Sequence, residues 1–462
     1  MENEKNVEAI YDARTLGKSK MFVLGLQHLF AMFGATVLVP AITGLNVSTT
    51  LLFAGLGTLL FHLITGRKVP AFLGSSFAFL GAYGLVTASG QNIPLTYSGF
   101  GVAVAGLIYL LLALLFKVFG TNKVMKFFPP IVTGPVIIAI GLTLAGTAID
   151  SCTSNWLVAL VAILVVVVCN IWGKGMIKIV PILLGVLGSY LCAAVAGKID
   201  FSQVAQAPWI GIPIHYEKTV FSIFSGGAPD AGLIITSIVT IVPIALATMM
   251  EHIGDISAIS STCGINYIKD PGLHRTLTGD GLATAIASLF GAPANTTYGE
   301  NTGVLTLTKV YDPRVIRIAA GFAILLSFCP KFAAVIEVMP SATIGGISLV
   351  LYGMISAVGI RNLVETKTDF SKSRNVLIAA MIMVLSIGIS YSSAGAINIP
   401  VGGITLSLSG LATGSITGIL LNAVLPGKDY VFEDDKPNRT GVSFQIVSGE
   451  TIAESRSKLI KK

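Results

Sequence analysis

Three carboxylates in this sequence have surroundings that suit chemistry. Glu251 and Asp255 belong to MMEHIGD, residues 249–255, and stand four apart, so a helix puts them on one face. Glu300 belongs to NTTYGENTGVLTLTK, residues 295–309, which begins polar and glycine-rich and then opens a short apolar run. Long apolar runs flank both stretches. A carboxylate at membrane depth is costly to keep and marks a functional site by default. Two so close together cannot both stay ionised cheaply, and a carboxyl that gains and loses a proton is what proton coupling needs. The competing reading is a solvated pair at a helix end. The span continues through Ile259 toward Cys263, which argues against it.

Glu300 comes just ahead of a helical run expected over 301–310. The N-terminus of a helix presents free N–H groups and a positive dipole end, which hold polar ligand atoms. Phe77, in VPAFLGSSFAFLGAYG at 69–84, and Tyr298 offer flat apolar faces on the two interrupted stretches, although packing alone would also account for them. A planar heterocycle with ring N–H and C=O groups fits such a site. His252 points about 100° away from Glu251 on a helix. It is expected to pack or to bond a backbone carbonyl, as is His28. His62 and His274 fall at a helix end and in a loop and carry no role.

The elements that position these groups are membrane spans. Only 11% of the 462 residues are charged, against about 25% in soluble domains, and the mean hydropathy is +0.81. Non-helical backbone survives at membrane depth only where protein buries it or it lines a cavity. That constraint applies to both glycine-rich stretches. The net charge of +7 is spread over short loops and is no nucleic-acid signal. The five cysteines, Cys152, Cys169, Cys192, Cys263 and Cys329, lack metal or redox spacing. No HExxH, nucleophile elbow or metal cluster appears in the sequence, so an enzyme is set aside and no cofactor is expected.

In order, spans are expected near 21–44 and 50–65. The broken segment 69–84 follows, then 97–118, 128–146, 155–172 and 179–196. A polar connection covers 198–230. The second half continues with 231–263, 277–291, the broken stretch 295–309, 317–338, 339–358, 376–391 and 401–425. The two halves resemble each other weakly. Pro129 precedes Gly134 by five residues and Pro340 precedes Gly345 by five; Gln27-His28 and Glu251-His252 each fall in an opening helix. Interruptions at corresponding positions of two halves point to a transporter binding site between repeats. The bases of 67–68, 123–126, 174–178, 269–275, 309–314 and 361–367 fall on one side, which assigns that side and both termini to the cytoplasm. The first 20 residues read as a cytoplasmic tail, not a signal peptide.

Three segments carry a family resemblance: QHLFAMFGATVLVP from Gln27, VPAFLGSSFAF from Val69, and ENTGVLTLTK from Glu300. In that order and spacing they resemble the bacterial uracil permeases of the nucleobase–ascorbate transporter family, over nearly the whole chain. The resemblance implies an all-α polytopic membrane fold of 14 segments in two inverted seven-segment repeats, with short strands in segments 3 and 10. It implies repeats at 21–197 and 231–425, an extracellular connection at 198–230, and cytoplasmic tails at 1–20 and 426–462. A core domain would take about 21–118 and 231–338, and a gate domain about 128–197 and 339–425.

Carried over by position, the resemblance makes Glu251 and Glu300 the carboxylates that bond the base. Phe77 and Tyr298 match ring contacts, Ala35 and Gly299 backbone contacts, and His28 and Asn301 supports of the core. Asp255 departs from the uracil pattern, which has His there; purine carriers of the family also have Asp. Glu300 favours uracil, because purine carriers more often show Gln.

The resulting expectation is a proton-coupled uracil importer of the cytoplasmic membrane, working by alternating access, with Glu251 or Asp255 carrying the proton. A xanthine or mixed uracil–xanthine carrier is the alternative within the class. An anion exchanger or channel on the same plan is the alternative outside it, and would want a basic residue in place of Glu300. The expected partners are the nucleobase, the proton and the lipid bilayer. Family members can also form a homodimer through the gate domain.

Overall fold

The structure, a computed structural model, describes residues 9–88, 94–225, 227–401, 404–428 and 430. The first half carries α1 (Lys18–Thr43), α2 (Val47–Ile64), strand β1 (Leu73–Ser75), α3 (Leu80–Ala88), α4 (Leu95–Phe119), the short α5 (Thr121–Val124), α6 (Pro130–Thr153), α7 (Trp156–Trp172), the short α8 (Met176–Ile179) and α9 (Pro181–Val195). The connection holds α10 (Ser202–Gln206). The second half carries α11 (Ala231–Ile241), α12 (Ala245–Cys263), α13 (Leu273–Leu289), strand β2 (Asn295–Thr297), α14 (Gly299–Thr308), α15 (Pro313–Ser327) and α16 (Pro330–Glu337). It ends with α17 (Ser341–Glu365), α18 (Ser373–Ser390), strands β3 (Ala396–Val401) and β4 (Ile404–Ser409), and α19 (Gly410–Val424).

Among the described residues, seven helices are long and apolar enough to cross a membrane, with α11 and α12 counted together, or eight if α15 and α16 make one span. The chain is a mostly helical, multi-pass membrane protein.

Local chemistry sets the helix ends. Asn46, Asn155, Asp230 and Asp312 each cap the helix that follows by accepting first-turn N–H bonds. Pro130, Pro181, Pro313 and Pro330 open helices, where a missing N–H costs nothing. Two expected spans come out differently. The segment read as one span over 317–338 is α15 and α16, bent by 87°, because Pro330 cannot donate the bond that would continue the helix across Cys329. The start of the span read over 401–425 is β4 of a hairpin with β3, and the helix begins only at Gly410. Alternating Ile, Leu and Ser in 404–409 favour a strand there.

Three helix pairings dominate: α6 with α17, α4 with α13, and α2 with α15. Each relies on glycine for close approach. A Cβ at Gly359 would meet the Gly134 carbonyl at 2.6 Å, one at Gly281 the Gly106 carbonyl at 2.6 Å, and one at Gly55 the Ala320 carbonyl at 2.6 Å.

The two interrupted stretches meet. β1 and β2 pair antiparallel, Leu73 opposite Thr297 and Ser75 opposite Asn295. This satisfies backbone that helices cannot serve at this depth. Asn295 Nδ2 also donates to the Phe53 carbonyl at 2.9 Å, and the Thr58 hydroxyl accepts from Leu73 N at 2.9 Å.

Part of the segment read as an N-terminal tail is docked. Ile10 pairs in parallel with Val310, Ala13 N donates to Asp312 Oδ2 at 2.7 Å, and Arg314 Nη1 donates to Asp12 Oδ1 at 2.9 Å. Residues 1–8, 429 and 431–462 of the two expected tails lie outside the described residues.

Candidate substrate site

The site forms where α12 passes the ends of the paired strands. α12 is helical through 245–263, so Glu251 and Asp255 share a face as their spacing requires. β2 leads through Tyr298 into α14. Glu300 stands inside the first turn of that helix, which runs Gly299–Thr308, and not ahead of a helix over 301–310. β1 leads through Ser75 and Ser76 to Phe77. These pieces enclose a cavity of about 150 Å³. Its lining includes Glu251, Asp255, Glu300, Phe77, Tyr298 and Gly299, all six singled out in the sequence. The opposite wall is apolar, from Ile137 on α6 and Met354, Ile355 and Val358 on α17. None of these four was legible as a site residue, because nothing separates them from ordinary apolar span residues.

The expected supporting residues meet outside the cavity. Asn301 Nδ2 lies 3.1 Å from His28 Nδ1 and 3.1 Å from the His28 carbonyl, tying α14 to α1. Ala35 is fully buried on α1 and does not line the cavity. Its neighbour Thr36 reaches the site instead: its hydroxyl donates to Tyr298 OH at 3.2 Å, and Tyr298 OH donates to the Ser75 carbonyl at 3.0 Å. Gly74 makes room for this ring, since a Cβ there would fall 2.5 Å from Tyr298 carbons.

His252 does not bond a backbone carbonyl. Its Nδ1 stands 3.1 Å from Asp280 Oδ2, both side chains wholly buried, and 3.4 Å from the Thr297 hydroxyl. Thr297 in turn donates to Asp255 Oδ2 at 2.9 Å. Polar side chains thus run from Asp255 through Thr297 and His252 to Asp280 on α13. Sequence reasoning passed over Asp280. The signal was present: a lone carboxylate inside TLTGDGLATA, in a span.

The charged neighbours that act on Glu251 are all acidic: Asp255, Glu300 and Asp280. Like charges this close cannot all be carried without protons or a ligand to offset them. Glu251 Oε2 and Thr296 Oγ1 are buried without a hydrogen-bond partner, and both residues line the cavity. Such orphaned atoms leave bonds to be filled. The site offers carboxylate acceptors and hydroxyls, with Phe77 and Tyr298 on its walls. Among the described residues no group of His, Cys, Asp and Glu is arranged to hold a metal ion.

A family model described as "Permease family" (Xan_ur_permease) matches residues 19–395. The chain belongs to this permease family. Among its relatives is the uracil permease of Bacillus caldolyticus, 41% identical over 440 residues, covering 93% of this chain and 97% of the relative. The uracil permease of Bacillus subtilis (strain 168) is 40% identical over 414 residues, with 87% and 91% covered. That of Escherichia coli (strain K12) is 37% identical over 412 residues, with 87% and 90% covered. The resemblance carried by the three motifs is borne out at this level. The permease also shares its fold with solved transporters. The transmembrane domain of the cyanobacterial bicarbonate transporter BicA aligns with a TM-score of 0.61 at 15% identity, over 82% of this chain and 97% of that one. SLC26A9 aligns with a TM-score of 0.63 at 11% identity, over 90% and 66%.

Proposed function

We propose that the protein is a proton-coupled uracil importer that works by alternating access. The observation that carries this reading is one cavity lined by Glu251, Asp255 and Glu300 together with Phe77 and Tyr298. Its volume of about 150 Å³ is below the roughly 300 Å³ where drug-sized pockets begin, and suits one small ring better than two. The relatives named uracil permease support the same substrate. In this reading Glu251 and Glu300 bond the ring edges, with Gly299 adding backbone contact and Ala35 acting only through the helix that holds Thr36. A proton on Glu251 or Asp255 offsets the crowded charge and decides when the loaded core moves. His28 and Asn301 keep α14 seated.

The 14-segment plan belongs to this proposal, with inverted repeats at 21–197 and 231–425. What supports it is the packing: exchanging the halves turns the α2–α15 pair into the α4–α13 pair, while α6 and α17 face each other. A core of about 21–118 and 231–338 would hold the site, and a gate of about 128–197 and 339–425 would supply its apolar wall. The bridge between Lys68 and Asp270 at 2.5 Å joins two basic loops. It supports one shared side for those loops, which we take as cytoplasmic, with both termini, in the inner membrane. A homodimer through the gate is part of the same proposal.

Labelled uracil uptake into proteoliposomes, acid outside, tests the reading, with xanthine as competitor and Glu300→Gln alongside. Uptake that needs the pH gradient, ignores xanthine and falls in the variant is the expected result. Competition by xanthine at similar concentration overturns the uracil assignment.

A further inference from the structure

Two further cavities reach the site from the side of the basic loops, and they reach different carboxylates. One of about 170 Å³ opens under Glu300, between Phe30 of α1 and Met354 of α17. The other, of about 140 Å³, runs between α12, α14 and α17. Its deep end is Asp255 and its mouth is the pair Arg361 and Glu365, whose Nε–Oε1 distance is 2.6 Å. Glu251 and Glu300 do not line this second cavity, and Asp255 does not line the first.

The second cavity is built for water. Ser257, Thr302, Thr306 and Asn362 line it. The Thr302 hydroxyl is buried without a hydrogen-bond partner, in a residue only 6% exposed. A space of about 140 Å³ with these hydroxyls and an amide along it holds several waters. The ion pair at its mouth carries no net charge. Glu365 adds an acceptor there. The groups acting on Asp255 are Glu251 from its own helix, Glu300 from α14, Asp280 from α13 and the Thr297 hydroxyl, with His252 behind Thr297; Arg361 and Glu365 lie at the far end, and α6 lines the cavity with Ile137.

We propose that this cavity is the proton's own exit, separate from the opening under Glu300 through which the base leaves. Protonated Asp255 gives its proton to a water of the cavity, leaving a carboxylate and a hydronium ion, and the charge passes to the inner solution at the Arg361–Glu365 mouth. This rests on the proton-coupled uracil reading above. It adds that coupling and substrate release use different doors.

The test uses the full chain in proteoliposomes and two variants away from the binding residues. Ala258→Leu fills the cavity from α12, and Thr302→Val removes its orphan hydroxyl with little change of shape. Uracil–uracil counterflow at equal pH is measured beside uptake driven by a pH gradient and beside uracil-dependent proton entry. The filled variant is expected to keep counterflow and to lose driven uptake by about a hundredfold, the scale of a lost positioned proton path. Thr302→Val is expected to move the same way by less. Wild-type driven uptake in both variants overturns the proposal. So does counterflow that falls in step with driven uptake, which makes the cavity a path for the base. A wild-type protein without counterflow or driven uptake instead overturns the uracil reading itself.

Discussion

The hydroxyl of Thr297 donates to Asp255 Oδ2 at 2.9 Å, across the gap between β2 and α12. One strand residue thereby fixes the orientation of a carboxylate that lines two cavities. Thr297→Val keeps the β-branched shape and removes the donor. A buried acceptor left unsatisfied costs about 1–3 kcal/mol, so the variant should melt earlier in detergent and carry fewer protons per uracil. Thr297→Ser should restore both. Unchanged proton-to-uracil ratios in the valine variant would remove Thr297 from the coupling path.

Glu251→Gln and Glu300→Gln should each weaken uracil binding. A hydrogen bond to a charged group contributes about 1.5–3 kcal/mol, which is roughly 10- to 150-fold in Kd. Calorimetric titration at fixed pH measures it. Equal affinity in either variant would show that its carboxylate does not touch the base.

Gly74→Ala should damage the site without breaking the spans. The new Cβ would lie 2.5 Å from Tyr298 ring carbons and 2.7 Å from Thr36 Oγ1. Overpacking of this kind costs about 1–3 kcal/mol, and the displaced ring should lower uracil affinity while membrane expression persists. Binding at wild-type strength would mean that Tyr298 is not a wall of the occupied site.

Asp280 and His252 should behave as a unit. Removing one partner leaves the other a buried polar group without its neighbour, which costs about 1–3 kcal/mol. Asp280→Asn and His252→Gln should each lower thermal stability, and the double variant should lose less than the two losses added. Additive losses would mean that the 3.1 Å approach carries no coupling.

The docked N-terminal segment has a defined pH range. Hydrogen bonds from the Arg14 guanidinium and backbone hold the Asp12 carboxyl at about 2, below its ordinary 3.8. The charged carboxylate keeps its bonds to Arg14 and to Arg314 fully above its ordinary value and loses them as pH falls through about 2. Protection of residues 10–16 against hydrogen exchange should therefore stay flat from about pH 8 to 5. Asp12→Asn should speed exchange across that range and trypsin cleavage at Arg14. A protection step inside that range would assign the docking to another group.

Much of the site was legible because membrane depth makes polar residues conspicuous. Glu251, Asp255 and Glu300 stood out as carboxylates among apolar runs, and the glycine-rich breaks marked the two stretches that carry Phe77 and Tyr298. Asp280 obeyed the same rule but lay in an unbroken span with no second acid four residues away, so only the fold brings it to His252. Ile137 and Met354 carried no signal, since an apolar wall residue looks like any lipid-facing one. The bend at Pro330 and the hairpin of 396–409 were missed for a common reason. Apolar content over a long window suggests a span, while a single proline or a period of two decides otherwise.

The three-residue pairing of β1 with β2 also constrains how the protein is made. Leu73, Gly74 and Ser75 leave the ribosome more than 200 residues before Asn295, Thr296 and Thr297. Until then, peptide groups of the first stretch have no partner strand, and each such group in hydrocarbon costs several kcal/mol. The earlier half must wait outside the bilayer core, hold water, or borrow a chaperone. Its pocket is therefore completed late in biogenesis, and a chain halted near residue 230 would present quality-control proteases with an open edge.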